Sequence, residues 1–157
     1  MSKSSRAYIS VCWGAVLAFP GPAAAGSGAC DLLTSAQVEA TTGVKIVNVS
    51  EKDRGAFSTC SYEADSWEDT TGVILYPGAV ILGNSQALAE ALRIDIERDE
   101  APYQTPVPVN DLGQAAAYYP DTDGLMHFVV IEKAGARIIV SASSKQAALK
   151  LAGAVAD

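Results

Sequence analysis

One pair of residues constrains this chain more than any other: Cys30 and Cys60. They lie in a segment that opens Ala29-Cys30-Asp31-Leu32-Leu33-Thr34 and closes Thr59-Cys60-Ser61-Tyr62. A bridge between them would force whatever lies between to return the chain to its starting point. Whether they bridge depends on compartment, and the first residues speak to that. Lys3 and Arg6 precede an apolar run, Ala7 to Phe19, which Pro20-Gly21-Pro22 interrupts before Ala23-Ala24-Ala25. Positive residues, apolar run, breaker and small residues in that order predict a signal peptide over residues 1–25, cleaved after Ala25. A buried N-terminal helix does not account for the order. The run is also short of the roughly 20 residues that a membrane-spanning helix requires.

Cleavage removes Cys12 and leaves Cys30 and Cys60 as an even pair in an exported chain, periplasmic or extracellular, where a disulfide is expected. A lipid on Cys30 is the competing fate, because Ser27-Gly28-Ala29-Cys30 has the outline of a lipoprotein signal. Ser27, however, stands where a large aliphatic residue is expected, and ten residues separate Cys30 from Phe19. Two cysteines and one histidine do not complete a four-ligand zinc site, so no metal or cofactor is expected.

Removing 25 of the 157 residues leaves 132, enough for one domain over residues 26–157 with a sizeable core. Two of the 11 Lys and Arg leave with the signal. The remaining 9 face 18 Asp and Glu, giving a formal charge of −9. Such a chain is repelled by nucleic-acid phosphates and anionic lipid, and no basic cluster offsets the repulsion. No second apolar stretch is long enough to span a bilayer.

Along the chain, Thr34 and Gln37 form a capping box, Leu33 and Val38 sit at the positions of a hydrophobic staple, and Gly43 is a stop. They predict a helix over 35–42. The β-branched run 44–49 predicts a strand, Lys52-Asp53-Arg54-Gly55 a turn, and 57–64 a second strand with Cys60 and Tyr62 on its core face. A third strand at 71–76 ends at Pro77-Gly78. Asn84 or Ser85 caps a helix over 86–98, whose Leu88, Leu92 and Ile96 make an apolar stripe. Pro102, Pro106 and Pro108 mark an extended linker. Strands follow at 115–119, 125–132 and 137–142, with Ala134-Gly135 as a hairpin connection. Ser143 and Gln146 form a second capping box, opening a helix that runs to the end of the chain. The order is α-βββ-α-βββ-α, an outline of a duplicated α-βββ unit. Its hairpins imply a largely antiparallel sheet with helices packed on it, hence an α+β domain.

Several of these residues resemble a known family. A Cys followed by Leu32-Leu33-Thr34, a short helix closed by Gly43, a second Cys with Tyr62 behind it, and Leu112-Gly113-Gln114-Ala115-Ala116 before the last hairpin are similar to domain-of-unknown-function 3558. The resemblance spans about Cys30 to Val155. It implies an exported, often lipidated α+β domain with a disulfide and no established catalytic residues.

Candidate chemistry is sparse. His127 is the one histidine, on the strand face of Val129 and Ile131. A Ser-His-Asp arrangement needs a nucleophile and an orienting acid beside it, and no Gly-x-Ser-x-Gly motif is present. Asp121-Thr122-Asp123-Gly124 has the middle of a calcium loop but neither of its ends, and reads as a β-turn. Trp67 beside Glu68-Asp69 reads as a solvated loop whose indole folds back on the sheet, or else as a spot for a cation or sugar. Tyr118 and Tyr119 point to opposite faces. The last hairpin is nearly as apolar on one face as on the other, so it is read as central. Trp67, His127, Val129, Ile131 and Ile139 are read as a contact surface at least partly open. The function this supports is an exported envelope domain that binds a protein partner or small ligand. The alternative is a small extracytoplasmic hydrolase or lyase using His127 with nearby carboxylates.

Overall fold

A computed structural model describes residues 28–157. The expected signal peptide and its cleavage point lie outside the described residues. Helix α1 (Ser35–Thr42) leads into β1 (Ile46–Asp53), β2 (Ser58–Ala64) and β3 (Thr71–Pro77). Helix α2 (Ser85–Arg98) follows, then β4 (Val107–Val109), β5 (Ala115–Pro120), β6 (His127–Lys133), β7 (Ala136–Ala142) and helix α3 (Lys145–Ala156). The seven strands form one antiparallel sheet in the order β1-β2-β3-β7-β6-β5-β4. The domain is α+β, and among the described residues no helix is long and apolar enough to cross a membrane.

Local signals account for the element ends. The Thr34 hydroxyl accepts from the Gln37 N–H at 3.2 Å, and Gln37 Oε1 accepts from the Thr34 N–H at 2.8 Å. Gly43, at φ 73°, closes α1 in the left-handed region. Asn84 Oδ1 caps α2 by accepting from the Gln86 and Ala87 N–H groups. The acidic C-terminal end of α2 is compensated on its own surface, where Arg93 pairs with Glu97 and Arg98 pairs with Asp95 and Asp99. Ala134 and Gly135, both at positive φ, make the tight β6–β7 turn.

Three expectations are corrected. Val107–Val109 pairs with β5 as a short edge strand, so the proline-rich stretch is not wholly linker and the order becomes α-βββ-α-ββββ-α. Pro108 is tolerated there because an edge strand has no outer neighbour requiring its N–H. The cap of α3 is Ser144, whose hydroxyl accepts from the Ala147 N–H, so the Ser143–Gln146 box does not form. Strand β1 continues to Asp53, through residues read as a turn, because each pairs with β2 as far as Asp53 with Ser58.

The cysteines are bridged. Cys60 is buried on the sheet beside Tyr62. The Tyr62 hydroxyl donates to the Leu33 carbonyl, so the segment before α1 is fastened to β2 twice. Burial, and then the carboxylates of Glu51 and Asp31, push the Tyr62 phenol above its usual range.

The sheet has two unequal faces. Helices α1 and α3 cover the first, where Val38, Leu151, Ala152 and Val155 pack on Cys60, Tyr62, Val73, Val129, Ile131, Ile138 and Val140. On the second, Leu88 and Ala89 of α2 pack on Ala115, Ala117, Tyr119 and Val130. Tyr103 adds edge-on contacts to Tyr119 and Phe128. A two-fold axis normal to the sheet would relate the halves through the β3–β7 pair, but it would place α1 and α2 on one face. They lie on opposite faces, so the two halves repeat in strand order and not in helix placement.

Candidate functional site

Because α2 sits over β4 and β5, reaching Val130 of β6, the second face is left uncovered over β2, β3 and the near side of β7. There Thr59, Ser61, Gly72, Ile74, Tyr76, Ile139 and Ser141 are half-buried. Cross-strand pairing places Thr59 beside Ile74, Ile74 beside Ile139, and Tyr76 beside Arg137. Phe57 packs on Tyr76 with ring centroids 5.2 Å apart. Where this open half meets α2 lies a groove of about 410 Å³, lined by Ala56, Tyr76, Ala79, Leu92, Arg137 and Ile139 along with Pro77 and Gly78.

Gly78 and Ala79, at the groove's edge, begin the loop between β3 and α2, whose residues 78–83 read Gly-Ala-Val-Ile-Leu-Gly. Within it Val80 is 79% exposed while Ala79 and Ile81 are half-buried. Glu132 holds the loop in place. Its side chain is fully buried, and its Oε2 accepts the N–H groups of Leu82 at 2.8 Å and Gly83 at 2.9 Å. Its Oε1 accepts from Arg137 Nη2 at 2.9 Å, and the same nitrogen donates to the Val80 carbonyl at 3.1 Å. A buried carboxylate is costly unless it is paired and hydrogen-bonded, and here loop backbone and guanidinium supply both. Arg137 Nε is buried with no acceptor. Left-handed glycines, Gly78 at φ 69° and Gly83 at φ 65°, bound the loop.

The residues grouped as a contact surface do not share one. Val129 and Ile131 are fully buried beneath α3, whereas Ile139 faces the opposite way, paired with Val130 on the second face. The hairpin is central, as read, and α3 supplies the cover that the open-patch reading lacked. Ile139 alone of the five lines the groove. His127 ends the covered face. Its Nδ1 lies 2.8 Å from the Tyr118 hydroxyl, the two rings stack, and Lys145 Nζ stands 4.5 Å from the Tyr118 ring centroid. Tyr118 and Tyr119 do point to opposite faces, yet both are buried, and burial raises both phenols.

Trp67 does not fold back on the sheet. It is 72% exposed, at the mouth of a cleft of about 290 Å³ shared with Glu68, Asp69, Leu125 and Met126. Asp121 turns the chain locally, its Oδ1 accepting the Leu125 N–H. A larger open cleft of about 540 Å³ lies at the end of the first face beside Asp31, Glu51 and Asp53. Among the described residues no group of three or more His, Cys, Asp or Glu is placed to hold a metal ion.

Sequence reasoning missed Tyr76, Ala79, Leu92, Arg137 and Glu132 as a group. Two signals pointed to them. One is the unbroken apolar run between Gly78 and Gly83 in a stretch with no strand or helix of its own. The other is the opposite charge of Glu132 and Arg137, which the Ala134-Gly135 turn places directly across from each other. No protein-family model, curated protein or solved structure matches this chain.

Proposed function

We propose that this is an exported cell-envelope domain that binds a ligand in the groove between α2, the 78–83 loop and the open half of the second sheet face. The observation that carries the reading is the groove's apolar lining, half-buried Tyr76, Leu92 and Ile139 with Ala79 at the start of a loop whose far end is held by Glu132. Export is supported by the order of residues 1–25 and by the Cys30–Cys60 bridge, which an oxidising compartment favours. The resemblance to domain-of-unknown-function 3558 fits an exported domain of this class.

The test is a library of small-molecule fragments screened by amide and methyl chemical shifts. The reading predicts that binders shift Tyr76, Ala79, Leu92 and Ile139 together. Binders that shift only His127 and Tyr118, or only Trp67, would move the site elsewhere. An absence of binders would remove it.

A further inference from the structure

We propose that the cleft at Trp67 docks an arginine side chain from an exposed segment of a partner protein. The cleft lies at the start of β3 and the groove at its end, so the two are separate and this inference does not depend on the groove. Two turns wall the cleft. One is a single 3-10 turn, Trp67–Asp69, between β2 and β3. The other is the β5–β6 turn, where the Asp121 N–H donates to the Met126 carbonyl and Asp121 Oδ1 accepts from the Leu125 N–H. Trp67 is 72% exposed and Leu125 is 56% exposed, with Met126 half-buried. A single exposed apolar side chain is ordinary. Two large ones, brought around one cleft by turns far apart in the sequence, mark a contact surface.

Charge, shape and size identify the occupant. Glu68 and Asp69 line the cleft and no basic side chain does. Residues 55–92, which supply the first wall, contain no Lys or Arg, and neither do residues 99–132, which supply the second. Lys145, just beyond Ser143, is turned to the Tyr118 ring and does not line the cleft. Among the described residues the salt bridges lie at α2 and between Glu132 and Arg137, so Glu68 and Asp69 meet no internal cation. A neutral guest would strip water from both carboxylates without return, and an anion would be repelled. A cation is attracted by both carboxylates and by the indole face. A guanidinium suits the site better than an ammonium. It is planar, stacks on an aromatic ring, pairs with a carboxylate through two N–H groups and is the more weakly hydrated. Its aliphatic stem lies along Leu125 and Met126. At about 290 Å³ the cleft falls just below the usual size of sites that enclose small molecules, and it suits one side chain projecting from a larger surface. The net negative charge of residues 26–157 steers a basic partner toward it at longer range.

The experiment uses residues 26–157, in which Trp67 is the one tryptophan, so intrinsic fluorescence reports this cleft alone. The probes are a capped glycine pentapeptide with arginine at its centre, the same peptide with citrulline, which keeps the shape and loses the charge, choline, and N-acetylglucosamine. The arginine peptide should titrate Trp67 saturably and bind at least about fivefold more tightly than the citrulline peptide, with the difference shrinking in high salt. Trp67→Ala, read by the methyl shifts of Leu125 and Met126, should lower its affinity at least about fivefold at an unchanged melting temperature. Glu68→Gln combined with Asp69→Asn should do the same, read by fluorescence. Equal binding of the citrulline peptide would overturn the cation. Tighter binding of choline would overturn the guanidinium, and a response to N-acetylglucosamine alone would assign the cleft to sugars instead. Arginine-peptide binding untouched by Trp67→Ala would mean diffuse attraction to an acidic surface and would overturn the cleft. No response to any probe would overturn the site. None of these residues lines the groove, so failure here leaves the groove standing, and failure of the fragment screen at the groove leaves this cleft standing.

Discussion

Replacing Cys30 and Cys60 together by alanine removes the crosslink that ties the segment before α1 to β2. The bridged residues are 30 positions apart, and the chain-entropy relation gives about 3.6 kcal/mol for a loop of that length. Cys60 is 1% exposed, so deleting its sulfur also leaves a small void in the core, adding roughly 1 kcal/mol. The sum, about 4–5 kcal/mol, is a large share of the roughly 5–15 kcal/mol that ordinarily separates a folded domain from its unfolded chain. For a domain of this size it corresponds to a fall in melting temperature of roughly 15 °C. Urea unfolding followed by far-UV circular dichroism is the assay. The midpoint should fall, and the m-value should rise, because an unfolded chain without the crosslink exposes more surface. A midpoint unchanged from the bridged protein would refute the reasoning. It would mean that the Tyr62–Leu33 hydrogen bond and the packing of Ala29, Leu33 and Val38 hold the segment without help.

Val129→Gln places an amide in the fully buried layer beneath α3. It should cost about 3 kcal/mol or more in urea unfolding with no change in association by analytical ultracentrifugation. Gly113→Ala sets a Cβ 2.7 Å from Ile131 Cγ2 and 2.8 Å from the Glu132 carbonyl, at φ 58°. It should destabilise by about 2 kcal/mol or more, against about 1 kcal/mol for Gly55→Ala, whose left-handed turn is open. Burial raises the phenols of Tyr62, Tyr118 and Tyr119, so the folded protein keeps protons that the unfolded chain releases near about pH 10. Stability should be level below that pH and fall as pH rises beyond it. Urea midpoints between pH 9 and 11, alongside absorbance at 295 nm, check this, and a flat midpoint would count against it.

Much of the fold was legible because its signals are local. The Thr34–Gln37 box and Gly43 delimit α1, the Leu88–Leu92–Ile96 stripe finds α2, and Ala134-Gly135 places the last turn. Cys30 and Cys60 were legible as a pair through compartment logic together with the inward strand parity of Cys60. Val129 and Ile131 show where local reasoning stops. Strand periodicity assigns each residue a face, but which helix covers that face is decided by chain reversals that periodicity does not encode. The same limit hid the groove. Its residues come from β3, the loop after it, α2 and β7, and only the crossover of α2 to the second face brings them together. Pro106 and Pro108 masked β4 because proline reads as a strand breaker, although a sheet edge tolerates it.

One sheet face is buried beneath α1 and α3 across β3, β7 and β6, while half of the other stands open beside a fixed apolar loop. Relaxation of methyl protons by an uncharged, soluble gadolinium chelate reads that difference residue by residue. The account predicts strong relaxation at the methyls of Ile74, Val80 and Ile139 and weak relaxation at Val129, Ile131 and Val140. Protection of Ile74 and Ile139 equal to that of Val129 and Ile131 would mean that the second face is closed, and the groove would lose its place in the fold.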